Sequence, residues 1–226
     1  MLRETPLVEG ETYHIFNRGA HKQDIFLRPA DYDRFTLLLY VSNSSKKVHL
    51  GNLLEKHKGP SFMDVYTEEV VDKALVDIFA YAWMPNHFHI VVRQKTDDGI
   101  SLFMKKMATA YAMYFNAVNN HTGVVFQGRF QSRHIDSEAY HRWIFSYVHL
   151  NPVDLIESGW KENGIRDHEA IREFIENYRY SSYVDYCNTK RSERIILSDE
   201  APAFLKKTRD LDEMLKWERK ARALYL

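Results

Sequence analysis

The sequence predicts an α+β fold: an antiparallel sheet with helices on one face, followed by a helical C-terminal extension. Two observations carry that prediction. Segments rich in β-formers alternate with segments of helical period in the order β, α, β, β, α, β, α. Beyond about residue 154 the strand signals stop and helical ones remain. A strand–helix–strand unit that occurs twice is the pattern of a ferredoxin-like sheet. With 226 residues and 45% hydrophobic content, the chain can hold one full-sized unit and a smaller appendage. The boundary is expected at 154, with 1–154 as the first unit and 155–226 as the extension.

Each element has its own signal. Residues 11–18 (Glu-Thr-Tyr-His-Ile-Phe-Asn-Arg) are rich in β-formers and stop at Gly19. From Ala30 to Ser42, Phe35, Leu38 and Leu39 recur at helical spacing, with Asp31 and Asp33 near the positive end of the helix dipole. Residues 43–68 read as a polar excursion, with a short helix around Leu53. Ala74 to Met84 is strongly apolar; Pro85-Asn86 interrupts it, and His87 to Arg93 resumes as a β-branched strand. Thr96-Asp97-Asp98-Gly99 is a turn, and Ser101 to Val118 a long helix with a broad apolar face. Residues 124–135 read as partly extended. Asp136-Ser137 then forms an N-cap for a helix from Glu138 to about Asn151, which Pro152 ends. In the extension, helices are expected near 167–180 and 199–223.

Charge and cysteine usage narrow the function. Lys+Arg and Asp+Glu are 31 each, so the chain has no global basic footprint. The balance is local, however. Between 101 and 149, Lys105, Lys106, Arg129, Arg133 and Arg142 oppose only Asp136 and Glu138, a net +3, whereas 155–226 carries 14 charges of each sign. The single cysteine, Cys187, excludes an internal disulfide framework and a multi-cysteine zinc site. The first ten residues have no apolar run and no segment has the length of a membrane helix, so a cytoplasmic protein without membrane contact is expected.

Three segments can carry chemistry. His87 and His89 are two apart on a strand, so both leave the same face; such a pair either binds one metal ion or hydrogen-bonds to its neighbours. Tyr147 and Asn151 are four apart on a helix and share a face, offering a hydroxyl nucleophile and an amide oxygen, or simply amphipathic packing. His149 is rotated away by the helical period. In Phe126-Gln127-Gly128-Arg129-Phe130-Gln131-Ser132-Arg133, aromatic and cationic residues alternate around a glycine, which suits base stacking with phosphate contact or an ordinary solvated strand.

Taken together, Trp83-Met84-Pro85-Asn86-His87-Phe88-His89, Phe126-Gln127-Gly128-Arg129-Phe130 and Tyr147-Val148-His149-Leu150-Asn151-Pro152-Val153 resemble the single-tyrosine HUH transposases, REP-associated tyrosine transposases in particular. The opening Tyr13-His14-Ile15-Phe16-Asn17-Arg18-Gly19 is similar to that family's first strand, so the likeness covers roughly 11–155 and continues weakly through Tyr180-Ser181-Ser182-Tyr183. The resemblance implies that His87 and His89 coordinate Mg²⁺ or Mn²⁺, that Asn151 completes the metal site, and that Tyr147 is the nucleophile. It implies a partner, single-stranded DNA with hairpin structure, which the enzyme cuts and rejoins. Lys105, Lys106, Phe126, Arg129 and Arg133 are the expected DNA contacts, and the chain is expected to act as a monomer or homodimer. Two features depart from the family pattern: the long 43–73 excursion and the neutral tail. Two other readings stand beside this one. A histidine-metal hydrolase needs a further ligand close after the pair, and residues 90–96 offer none. A catalytically inactive nucleic-acid-binding module keeps the fold and loses the reaction.

Overall fold

Alternation along the first strand explains the layering. In β1 (Thr12–Arg18), Tyr13 and Ile15 point to one face, and His14 and Phe16 to the other. The computed structural model describes residues 6–46, 73–187, 190–207 and 210–225. After β1 come α1 (Pro29–Val41), β2 (Val76–Met84), β3 (His87–Gln94), α2 (Gly99–Asn119), β4 (Gln131–Ile135) and α3 (Glu138–Leu150). All pairings are antiparallel, in the order β2-β3-β1-β4. The α+β class and the four-stranded antiparallel sheet are thus as expected. The excursion lies, from residue 47 to 72, outside the described residues, as does the expected helix around Leu53.

The helices do not keep to one face, and this corrects the expectation. Helices α1 and α2 cover the side to which Tyr13, Ile15, Trp83, Phe88 and Ile90 point. Helix α3 covers the other side, where Ile144, Phe145 and Val148 meet Ala80, Ala82 and Val91. The physical reason is visible in β2 and β3. Every residue of β2 is buried, and such unbroken apolar runs belong to strands covered on both faces. A bulge between Ile78 and Ala80 shifts the register, and Phe79 and Ala80 both join the α3 side. The small side chains of Ala80 and Ala82 leave room for the helix to come close.

Local chemistry sets the helix ends. Pro29 opens α1, and the buried Asp31 carboxylate accepts from the amides of Leu27 and Arg28, both at 2.9 Å. Ser137 caps α3 by accepting from the Tyr140 amide. Asn151 and Pro152 convert its end into a 3-10 turn, Asn151–Leu155.

The extension adds α4 (Trp160–Asn163), α5 (His168–Asn177), α6 (Tyr183–Tyr186), α7 (Ala203–Lys207) and α8 (Leu211–Tyr225). It makes a third apolar cluster in which Leu150 and Val153 meet Trp160, Ile171, Ile175, Tyr183 and Leu211. It also closes the outer edge of β2. The Trp83 amide donates to the Tyr180 carbonyl at 3.0 Å, the Ser182 amide to Tyr81 at 2.9 Å, and the Ser198 amide to Ile78 at 2.9 Å. An edge that would otherwise expose unpaired backbone is thereby satisfied. Among the described residues no helix is long and apolar enough to cross a membrane.

Candidate active site

Strand alternation and helix α3 together build one polar cluster in an otherwise apolar interface. His87 opens β3 directly after the Pro85-Asn86 turn, and His89 follows on the same face, toward α3, with their ring centroids 5.1 Å apart. Phe88 between them is buried on the opposite face. His87 is half-buried, and its Nδ1 lies 2.7 Å from the Asn86 side-chain oxygen.

His89 is buried, and its two nitrogens have different surroundings. Nδ1 lies 2.9 Å from Nε2 of the equally buried His14 on β1. Nε2 is buried and has no hydrogen-bond partner among the described residues. Two imidazoles sharing one hydrogen bond need one donor and one acceptor. If Nδ1–H of His89 donates, its Nε2 carries a bare lone pair, the form a metal ligand requires. Burial lowers the pKa of all three histidines. His14 falls to about 3 through burial and the nearby Arg133 charge. His89 lies well below its ordinary value through burial, then the proximity of His14, His87 and Lys161. His87 is lowered by burial, against an opposing hydrogen bond with Asn151. All three are therefore neutral at pH 7, as ligation demands.

Helix α3 brings the second half. Tyr147 sets its ring edge-on to His89, centroids 5.3 Å apart at 80°, and to His14 at 6.0 Å. One turn on, Asn151 is buried and donates from Nδ2 to the Tyr147 carbonyl at 3.0 Å. That leaves the amide oxygen as the atom turned toward His87, whose Nδ1–H is given to Asn86. Tyr147 and Asn151 thus meet the histidines within one chain. Among the described residues no group of three or more His, Cys, Asp or Glu is arranged to hold a metal. The donor set here is two imidazoles and an amide oxygen. Among the described residues the buried Nε2 of His89 has no partner, His87 is its neighbour on the strand and Asn151 acts on His87, a donor set that fits a divalent cation with positions left for phosphate and water. His149, by contrast, is fully buried and bonds Ser182 Oγ at 2.8 Å.

The five expected DNA contacts separate in space. Arg133 is exposed on β4, in register with His14 on the histidine face. Lys105 and Arg129 line a cavity of about 710 Å³ with Asn17, Phe88 and Phe130, on the other side of the sheet. Lys106 turns elsewhere, donating to the carbonyls of Ser44 at 2.6 Å and Lys46 at 2.7 Å. Phe126 is 9% exposed and packs with Phe35, Phe88 and Tyr111, which leaves little ring surface for a base. A buried aromatic core and a stacking surface use the same residue type, so pattern alone does not separate them.

Sequence reasoning overlooked His14, Asp154 and Lys161. His14 lies 75 positions from the histidine it touches, and only the β1–β3 pairing joins them. Asp154 accepts from Lys161 Nζ at 2.9 Å, and that ammonium lies 5.2 Å from the Tyr147 ring centroid. Asp154 had a signal, since it continues the Tyr147–Asn151 face by three residues. Lys161 had none.

A family model described as "Transposase IS200 like" matches residues 41–151, a span that includes His87, His89, Tyr147 and Asn151. No curated protein matches the chain in sequence. Among solved structures, the chain is similar to one of a REP-associated tyrosine transposase bound to a REP hairpin, with a TM-score of 0.51 and 14% identity. That alignment covers 90% of this chain and 94% of the other. At that identity the likeness speaks to the fold.

Proposed function

We propose that the chain, whose residues 41–151 match the IS200-like transposases, nicks and rejoins single-stranded DNA beside hairpins through a covalent phosphotyrosine. Tyr147 is the nucleophile, and His87, His89 and Asn151 hold Mg²⁺ or Mn²⁺. The observation that carries this reading is the contact between Tyr147 and His89 in one chain, next to a buried imidazole nitrogen that has no partner among the described residues. The hairpin substrate is assigned by extension from the hairpin-bound transposase of similar fold.

A phenol is a weak nucleophile at neutral pH and needs activation and alignment. Held by His87, His89 and Asn151, a divalent cation would polarise the phosphate and offset charge developing on its oxygens. His89, locked by His14 and packed against Tyr147, fixes the ring relative to the ligand set. Asn151 ties that set to the nucleophile's own helix through the Tyr147 carbonyl. The Tyr147 oxygen bonds to phosphorus as one P–O ester bond to DNA breaks. The phenol proton passes to solvent, and the released DNA oxygen takes one up. One ester replaces another, so a later DNA hydroxyl reverses the exchange without an outside energy source. Because Tyr147 meets histidines of its own chain, a monomer holds a complete site.

The test is incubation with hairpin-bearing single-stranded DNA and Mg²⁺ or Mn²⁺, followed by a denaturing gel. The intact protein forms a covalent protein–DNA species that Tyr147→Phe does not. Equal cleavage by Tyr147→Phe refutes the nucleophile, and hairpin binding with no adduct from the intact protein favours a binding module.

A further inference from the structure

The face of α3 that carries Tyr147 and Asn151 continues into the 3-10 turn as Asp154, and there it meets the extension. Asp154 accepts from Lys161 Nζ at 2.9 Å, and the Lys161 side chain is only 20% exposed. Lys161 belongs to α4, a four-residue helix entered through the left-handed Gly159, φ 76°. The buried Trp160 beside it is anchored among Leu150, Val153 and Ile171, so the lysine is delivered from a fixed base. Its ammonium lies 5.2 Å from the Tyr147 ring centroid, and its charge acts on both His87 and His89.

A half-buried cation beside two prospective metal ligands is an electrostatic cost. It disfavours a second positive charge there, and the Asp154 carboxylate offsets part of that cost. Such crowding is resolved by an anion. A phosphodiester brings one negative charge, and more develops on its oxygens as the tyrosine attacks. We infer that Lys161, supplied by the extension, is a further catalytic residue that binds a non-bridging oxygen of the scissile phosphate between Tyr147 and the histidine pair. Asp154 is its positioning residue. The inference rests on Tyr147 being the nucleophile and gives the extension a direct part in the chemistry.

The experiment uses the full chain, Lys161→Ala and Lys161→Arg, on hairpin-bearing single-stranded DNA whose cut linkage has been mapped with the intact protein. Covalent adduct formation is timed under single-turnover conditions. The DNA carries either the normal phosphodiester or a neutral methylphosphonate at that linkage, each diastereomer separately. Thermal melting confirms that the variants fold. Lys161→Ala is expected to slow the adduct about 100-fold on phosphodiester DNA, the size typical of one lost oxyanion donor. Lys161→Arg recovers at least tenfold of that, roughly half of it on a logarithmic scale. On at least one methylphosphonate diastereomer, which lacks the oxygen at issue, the penalty of Lys161→Ala falls below about threefold. An unchanged rate for Lys161→Ala, or an equal penalty on phosphodiester and both methylphosphonates, overturns the assignment. Tyr147→Phe run alongside separates the failures: an adduct that persists there removes the underlying reading, while its loss with no lysine effect removes Lys161 alone.

Discussion

Replacing His14 separates holding a histidine from holding a metal. His14 is 4% exposed, and among the described residues its Nε2 is the hydrogen-bond partner of His89 Nδ1, at 2.9 Å. His14→Ala leaves that nitrogen buried and unpaired, a cost of about 1–3 kcal/mol, and removes a ring stacked 5.0 Å from His89. His14→Gln keeps an oxygen acceptor at much of the same reach. Loss of a partner that orients a ligating histidine typically weakens metal binding roughly 10–100-fold, or about 1.4–2.7 kcal/mol. The expectation is therefore a Mn²⁺ dissociation constant raised by about that factor in His14→Ala and by less than about fivefold in His14→Gln. Electron paramagnetic resonance of free Mn²⁺ reads this without any DNA, and urea unfolding in chelator reads the stability cost. If Mn²⁺ affinity stays within twofold while stability falls, His14 only packs, and the tautomer argument is wrong.

Two further predictions concern pH and DNA. Burial holds His149 at about 3 and His141 at about 4, below the roughly 6.5 of an unfolded chain. The unfolded state therefore binds protons first, so their contribution to stability is complete above about pH 6.5 and is lost as pH falls toward 4. Each group accounts for up to ~1.4 kcal/mol per pH unit in that window. Urea midpoints should fall steadily from pH 7 to 5; a flat profile there would contradict the burial argument. Lys105→Ala with Arg129→Ala is expected to weaken single-stranded DNA binding and to reduce the log–log salt slope by about 1.4, two phosphate contacts' worth. Lys106→Ala, whose ammonium serves Ser44 and Lys46 carbonyls, should leave the slope unchanged. Filter binding across a salt series measures both, and equal slopes for all three proteins would place the DNA elsewhere.

What the sequence could disclose follows from the range of each signal. Period two put His87 and His89 on one face, and period 3.6 did the same for Tyr147 and Asn151, because both rules act within a few residues. The Pro85-Asn86 break and the Ser137 cap marked their elements for the same reason. Contacts that close over long distances had no such mark. The pairing that sets His14 beside His89 depends on strand register, and the approach of Lys161 to Tyr147 depends on how Trp160 packs. Placing helices on both faces needed the unbroken apolar run of β2 to be weighed against the alternation of β1. Phe126 shows the same limit, since an aromatic beside arginines reads alike in a core and on a surface.

The cover over β2 has a consequence for the order in which the chain is made. Synthesis proceeds from the N-terminus, so β1 to β4 and α3 leave the ribosome before Tyr180, Ser182 and Ser198 exist to meet the edge of β2. Until then the backbone groups of Ile78, Tyr81 and Trp83 that those residues later engage face open water, on a strand rich in aromatic and β-branched side chains. The nascent molecule therefore passes through an interval in which its sheet can recruit a stranger, and the last third of the polypeptide ends that interval. A truncated product stopping near 154 would remain in it permanently.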